Sequence, residues 1–206
     1  MGALDKWSSG AKFVWLKPGV LIGAMVPLAV LGNAAVRGEL GADPVAVALN
    51  RLGLLAFILL LASLAATPLK RLFGLTWPTR IRKLLGLLAF FYASLHFLLY
   101  VIVDQGLALG RIVEDVTKRK FITVGFTALV LLVPLAATST KGAIQRMGAE
   151  RWKRLHRLVY LAAALGAVHF LWRVKKDLAQ PAAYVMVLAL LLALRFLPER
   201  KPDAPP

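Results

Sequence analysis

Long apolar runs separated by short polar segments are the dominant pattern along this chain. An α-helix needs about 20 predominantly apolar residues to cross a bilayer, and six of the runs approach that length. The pattern therefore predicts an all-α integral membrane protein, built as a six-helix transmembrane bundle. The predicted spans are Pro18–Ala35, Ala48–Ala66, Leu84–Val103, Phe121–Thr138, Leu155–Trp172 and Ala182–Leu197.

The composition supports a surface that faces lipid. Hydrophobic residues make up 59% of the 206 residues, which is more than a water-soluble chain of this size can bury. The net charge of +16 would suit nucleic acid, but Lys and Arg cluster in the short segments between the runs, as topology signals do. We therefore expect no nucleic-acid partner. Residues 1–17 and the Pro-rich tail, 198–206, are predicted to flank a membrane domain at 18–197, and the tail is predicted to be disordered.

The charges of the connecting segments predict the orientation of the bundle. Segments 67–83 and 141–157 are rich in Lys and Arg and contain a single acid, Glu150, whereas segments 37–43 and 104–120 mix both signs. By the positive-inside rule, the two basic segments lie in the cytoplasm. With six spans, both termini are then cytoplasmic too.

Histidine is the residue type left to carry chemistry within the membrane. The chain has no cysteine, which excludes disulfides, Cys-based zinc sites, iron–sulfur clusters and covalent c-type haem. All ten acidic residues fall outside the predicted spans. The three histidines, His96, His156 and His169, each lie in or at the edge of an apolar run. An ionisable side chain in the bilayer is expensive, so these three are candidate functional residues.

His96 and His169 are expected to lie at the same depth in the bilayer. His96 lies 13 positions after Lys83, and His169 lies 12 positions after Arg157, which are the last basic residues before their spans. At about 1.5 Å per residue, both imidazoles lie some 18–20 Å from the cytoplasmic boundary. Two histidines at equal depth on parallel helices can bind one haem iron from opposite faces. The alternative is a pair of histidines that pack or form hydrogen bonds between helices.

His156 lies at the inner edge of the fifth span, about 20 Å below His169. Thirteen residues at about 100° each turn it away from the face of His169 unless the helix bends. It is a candidate ligand of a second haem on the cytoplasmic side. The alternative is an interfacial histidine among basic residues.

Arg51 begins the second span at the outer side and is the predicted partner of the haem propionates, unless it is a boundary anchor of the span.

Local motifs carry a family resemblance that spans roughly residues 18–197. They are TPL (67–69), RxRKxLGL (80–87) upstream of His96, LAATS (135–139), and WxxLHRLVY (152–160) upstream of His169. In this order the chain resembles the MsrQ (YedZ) family. These are the haem-binding membrane subunits of the bacterial methionine sulfoxide reductase system, within the ferric-reductase-like transmembrane group.

The resemblance implies a redox subunit rather than a complete enzyme, located in the bacterial inner membrane as a multi-pass protein. It implies b-type haem and FMN, and His96, His156 and His169 as the haem-iron ligands. Electrons would come from the quinol pool or a cytoplasmic flavin reductase. They would pass to MsrP, a periplasmic molybdopterin reductase that repairs oxidised methionines in envelope proteins. NADPH oxidases, which the family resembles, have two histidines in the third span. This chain has one, which argues against a symmetric two-haem stack.

The residues leave one alternative function, a small polytopic transporter or assembly factor with structural histidines. Transporters often use carboxylates or broken helices at mid-membrane. No acid lies within a predicted span here, although Pro27 and Pro134 are possible helix breaks. For an electron-transfer subunit, the basic segments are the candidates for FMN or an acidic donor, and the outer segment 104–120 is the predicted docking surface for a periplasmic partner.

Overall fold

The computed structural model describes residues 13–174 and 177–197, and within them the chain is helical, without strands. The tail predicted at 198–206 lies outside the described residues, as do residues 1–12. In chain order the helices are α1 (Leu16–Val36), α2 (Pro44–Phe73), α3 (Trp77–Leu99), α4 (Leu109–Lys118), α5 (Lys120–Ala137), α6 (Lys141–Met147), α7 (Ala149–His156), α8 (Leu158–Arg173) and α9 (Ala179–Ala193). A π-helical turn, Tyr100–Asp104, follows α3 directly.

Within residues 13–174 and 177–197, five helical segments are long and apolar enough to cross a membrane. They are α1, α2, α3 with its π-turn, α5, and α7 with α8, the last pair separated by a turn at Arg157. The prediction of an all-α multi-span protein is therefore confirmed for five spans. The sixth predicted span corresponds to α9, which has 15 residues, or about 22 Å of helix. The prediction of a sixth span thus remains a proposal.

Side-chain contacts explain why α9 ends early. After α9 the chain turns, and the guanidinium of Arg195 donates to the hydroxyl of Tyr160 at 2.5 Å and to the carbonyl of Leu64 at 2.7 Å. The carbonyl of Arg195 accepts from Arg71 at 2.6 Å. These contacts tie the end of α9 to α2 and α8, where the predicted span would have continued to Leu197.

Local signals set the limits of α2, the longest helix. Asp43 caps its N-terminus, because Oδ1 accepts from the backbone N–H of Ala46 at 2.9 Å, and Pro44 suits the first helical position. The helix ends at Gly74, whose φ of 68° is left-handed and favours glycine. Pro27 and Pro134, the possible helix breaks, lie inside the continuous helices α1 and α5.

The bundle is built mainly from two antiparallel helix pairs, α2 with α3 and α5 with α8, which make the most extensive contacts. The core between the pairs contains mainly Leu and Phe from α2, with small residues from α3 and α8. Its buried members are Phe57, Leu60, Leu61, Leu64, Ala89, Leu132, Leu135, Ala162, Ala163, Ala167 and Leu188. Small residues on α8 let its backbone approach α2 and α5 closely, as in other membrane bundles.

Helix α1 packs at the periphery. It contacts α3 through the fully buried Tyr92, whose hydroxyl donates to the carbonyl of Ala24. Phe13 lies under the guanidinium of Arg80, 4.6 Å from the ring centroid. Phe13 and Arg195 both lie at the end of the bundle formed by segments 74–82 and 138–157.

We call this end, formed by segments 74–82 and 138–157, the basic end of the bundle. The opposite end, formed by segments 37–43 and 104–120, is called the mixed-charge end.

Candidate functional site

His96 and His169 meet inside the bundle. His96 lies near the end of α3 and His169 near the end of α8, and both side chains are half-buried. Their ring centroids are 6.1 Å apart and the ring planes are nearly perpendicular, at 80°. The structure thus brings together the two histidines that the sequence places at equal depth.

Each imidazole is oriented by a backbone carbonyl of a neighbouring helix. Nδ1 of His96 lies 2.8 Å from the carbonyl oxygen of Leu49 on α2, and Nδ1 of His169 lies 2.7 Å from that of Phe121 on α5. A carbonyl oxygen only accepts hydrogen bonds, so each Nδ1 is assigned the proton and donates it. In a neutral ring, Nε2 then keeps its lone pair, which is the form in which histidine ligates a metal.

Two glycines allow the rings to approach the backbone closely. A methyl group added at Gly53 of α2 would lie 3.2 Å from Nδ1 and Cε1 of His96. One added at Gly125 of α5 would lie 2.5 Å from Nδ1 of His169, well inside van der Waals contact. The absence of a side chain at these two positions is therefore what lets each ring reach its carbonyl acceptor.

Both imidazoles line a cavity of about 320 Å³ between the two helix pairs. This volume lies within the range of about 300–1,000 Å³ that is common for ligand pockets. Its walls are largely apolar and are formed by small and aromatic side chains. The small residues are Ala46, Gly53, Ala56, Ala89, Ala93, Gly125, Ala128, Ala162 and Gly166, and the aromatic ones include Phe57, Phe97, Phe121, Phe126 and Phe170.

The polar side chains of the cavity lie towards the mixed-charge end. Arg173, one turn beyond His169 on α8, donates to Oδ1 of Asn50. Arg119 forms an ion pair with Asp115, with 3.0 Å from Nε to Oδ1. The hydroxyl of Tyr100, in the π-turn after His96, donates to the other oxygen of Asp115 at 3.1 Å. The cavity is thus apolar along its walls and hydrogen-bonding at one end.

The other two predicted site residues lie elsewhere. His156 is at the basic end, where its ring stacks on Trp152 with 3.9 Å between centroids. Its Nε2 lies 3.0 Å from Oγ1 of Thr138. Arg51 is exposed on α2. Neither residue is among the described residues that line the cavity, whereas Arg119 and Arg173 are. The sequence does contain a signal for Arg173, since it lies four positions after His169, a spacing that places both side chains on one helix face.

The pair fits a haem better than a bare metal ion. Two metal–imidazole bonds of about 2 Å each, and about 1.1 Å from each nitrogen to its ring centroid, give a centroid separation of about 6.2 Å. The observed separation is 6.1 Å. Among the described residues, no group of three or more His, Asp or Glu side chains is placed to hold a metal. With two protein ligands, the remaining coordination positions have to come from the bound group, as they do in a porphyrin.

Comparison with known proteins gives a consistent result. The model of the family described as "Ferric reductase like transmembrane component" matches residues 52–167. A protein of Deinococcus radiodurans, named protein-methionine-sulfoxide reductase heme-binding subunit MsrQ, is 55% identical over 87% of this chain and 88% of its own length. The proteins of the same name from Rhodospirillum rubrum and Ralstonia nicotianae are 49% and 46% identical, over 87% and 84% of this chain and 86% and 80% of their own lengths.

The family model matches from residue 52, within α2, to residue 167, within α8. The match includes His96, and His169 lies two residues beyond its end. The relatives extend over nearly the whole chain, including that residue's helix. The resemblance read from the motifs is therefore confirmed by two independent comparisons. This chain belongs to the ferric-reductase-like transmembrane family and, within it, to the MsrQ subunits.

Proposed function

We propose that this chain is the membrane electron-transfer subunit of a methionine sulfoxide reductase system, and that His96 and His169 would hold the iron of its b-type haem. The observation that carries the proposal is the adjacent pair of imidazoles, whose ring centroids are 6.1 Å apart in an apolar cavity and whose Nδ1 atoms each lie within hydrogen-bond distance of a carbonyl. The relatives are named as heme-binding subunits, which supports the choice of cofactor.

Different groups of cavity residues have different roles in holding that cofactor. A bound haem supplies one-electron redox chemistry, which none of the lining side chains provides alone. The carbonyls of Leu49 and Phe121 fix the tautomer and the orientation of the ligands. The apolar walls keep water from the site, and small residues leave space for a planar ring, because Gly53 and Gly125 lie directly beside the imidazoles. Such preset geometry reduces the structural change that accompanies a change of charge.

The proposed topology places the basic end in the cytoplasm of a bacterial inner membrane, with α9 as a sixth, short span and both termini cytoplasmic. Electrons then enter from the quinol pool or a cytoplasmic flavin reductase and leave at the mixed-charge end. The proposed acceptor is the periplasmic molybdopterin reductase MsrP, and the role is repair of oxidised periplasmic proteins. Segment 104–120, which includes the amphipathic helix α4, is the proposed docking surface.

The basic end is the proposed entry site. The family resemblance implies FMN, and the basic residues of segments 80–83 and 154–157 are the candidates to bind its phosphate. His156 is a candidate ligand of a second haem there. Its hydrogen bond to Thr138 and its stacking on Trp152 also suit an interfacial histidine, so its role is decided by the experiment below.

The first test of the proposal is the absorption spectrum of the purified chain, oxidised and reduced. We expect a low-spin b-type spectrum that is lost or converted in His96→Ala and in His169→Ala. His156→Ala is the matched control, and it keeps that spectrum if one haem is held by the cavity pair. A full low-spin spectrum in both cavity variants would reject the ligand pair. A wild-type chain without haem would favour the transporter or assembly alternative.

The second test addresses the direction of transfer. Sealed vesicles with the chain in one known orientation are given a reductant on one side and the oxidised partner on the other. We expect reduction of the partner only when it faces the mixed-charge end. Equal reduction in the opposite orientation would contradict directional transfer while leaving haem binding intact.

A further inference from the structure

The hydrogen-bonding end of the cavity contains two guanidinium groups, and only one of them is paired with a carboxylate. Arg119, Arg173 and the carboxylate of Asp104 line this end. Arg119 is paired with the carboxylate of Asp115, which also accepts from Tyr100. Arg173 instead donates to the neutral amide of Asn50, and it belongs to none of the ion pairs found among the described residues. One guanidinium at this end is thus held in position without a carboxylate.

The position of Arg173 follows from the segments that orient the ligands. Arg173 is one turn beyond His169 on α8, so both side chains point to the same side of the helix. Asn50 is the residue after Leu49, whose carbonyl accepts from His96. The guanidinium is therefore positioned by the helix that carries His169 and by the segment of α2 that accepts from His96, next to the space between the rings.

We propose that Arg173, held by Asn50, binds the carboxylates of the porphyrin, so that the propionate edge of the haem faces the mixed-charge end. The inference rests on the proposed function. A carboxylate at the edge of an apolar cavity needs a charged donor, and a planar guanidinium matches it with two parallel hydrogen bonds. The remaining walls, formed by Ala, Gly, Leu, Ile and Phe side chains, offer no charged donor to a carboxylate. The polar end is therefore the place to which the charged edge of the ligand is assigned.

This assignment replaces Arg51 in the role that its place in the sequence suggests. Arg51 is exposed and does not line the cavity, although it follows Asn50 directly. One residue along a helix changes the direction of the side chain by about 100°, so neighbours in sequence face different surroundings. Arg51 is therefore the natural control for Arg173.

The experiment compares haemin with haemin dimethyl ester, which has no propionate charges. Full-length chain from haem-deficient cells is placed in nanodiscs and titrated with each compound. The variants are Arg173→Gln, Arg173→Lys and Arg51→Gln. For each variant we take the ratio of the haemin affinity to the ester affinity and compare it with the wild-type ratio. Effects that lower both affinities alike, such as partition of the porphyrin into lipid or a general loss of folded protein, cancel in this ratio.

For Arg173→Gln we expect haemin affinity to fall by about tenfold to a hundredfold, the range of a hydrogen bond to a charged group, with the ester affinity unchanged. Arg173→Lys should recover part of the loss, and Arg51→Gln should match wild type. The low-spin spectrum should persist, because both imidazoles remain. The midpoint potential of the loaded Arg173→Gln variant should fall, since a cation near the site is lost.

Equal losses for haemin and ester in Arg173→Gln, or no loss for either, would overturn the inference. So would a selective loss of haemin affinity in Arg51→Gln. If Arg173→Gln does not accumulate, Asn50→Ala removes only the acceptor of the guanidinium, and a selective loss of about two- to tenfold is expected. No selective loss there would also reject the inference. A wild-type chain that binds neither compound would instead reject the proposed function.

Discussion

Gly125 provides the sharpest test of the site, because its neighbour is a proposed ligand. In Gly125→Ala the new methyl group would lie 2.5 Å from Nδ1, 2.8 Å from Cε1 and 2.9 Å from Cγ of His169. Ordinary contacts between such atoms are about 3.5–4.0 Å, so the ring has to retreat by about 1 Å. Phe121, the acceptor of the ring, lies on the same helix as Gly125. A movement of the His169 ring away from the methyl group therefore also moves its Nδ1 away from the carbonyl of Phe121.

The magnitude follows from that displacement. The bond from Nδ1 to the Phe121 carbonyl is 2.7 Å long, and about 1 Å more exceeds the usual limit of about 3.2 Å. Loss of a partner that orients a ligating histidine typically lowers metal affinity by about 10- to 100-fold. Alanine itself favours a helix over glycine by about 1 kcal/mol, so α5 should form at least as well. We expect haem affinity to fall while the helical content is retained.

The assay measures haem per chain in the purified protein and the rate at which bound haem is lost to an excess of a haem-binding scavenger. Gly53→Ala is a graded comparison, because its methyl group would lie 3.2 Å from the ring of His96 and requires a smaller shift. Gly23→Ala in α1 meets nothing within 4 Å and is the neutral control. If Gly125→Ala retains haem as wild type does, or loses less than Gly53→Ala, the close approach of His169 to α5 is not what positions the ligand.

Three further predictions concern stability, each measured as the free energy of unfolding in mixed micelles. Asp43→Ala removes the cap of α2 and should lower it by about 1 kcal/mol, whereas Asp43→Asn should retain most of the cap; equal losses would contradict capping. Tyr92→Phe removes a hydrogen bond to α1 and should lower it by about 0.5–1.5 kcal/mol, and no change would show that this bond does not hold α1. Arg195→Met removes the bonds to Tyr160 and to the α2 backbone and should lower it by about 1–3 kcal/mol, with proteolysis expected to begin near α9. Wild-type stability and protection of α9 would argue against that anchoring role.

The spans and the histidine pair could be predicted from the sequence because both depend on distances along the chain. Helix rise converts residue counts from the basic segments into depth, and the two counts, to His96 and to His169, are nearly equal. Apolar length likewise identifies the first five spans to within a few residues, except where α2 and α3 continue beyond the apolar core. α2 extends to Phe73 because its termination is decided by Gly74 rather than by hydrophobicity.

Features that depend on helix rotation or on distant contacts could not be predicted in the same way. The choice of Arg51 rested on its position at the outer edge of its span, whereas the direction of its side chain depends on the rotation of α2, which leaves it exposed. The carbonyl acceptors at Leu49 and Phe121 belong to helices that contain no histidine, so no local pattern marks them. The early end of α9 depends on Arg195, whose partners are 35 and 131 residues away in the sequence.

The arrangement of the two helix pairs explains how so small a bundle can position two imidazoles independently. Within the α2–α3 pair, α3 supplies His96 and α2 supplies both its acceptor carbonyl and the glycine beside it. Within the α5–α8 pair, α8 supplies His169 and α5 supplies the matching carbonyl and glycine. Each pair thus fixes one ring by its own internal packing, which is the most extensive in the protein. The contact between the pairs, lined by small residues, is then left to determine the width of the cavity and the separation of the rings.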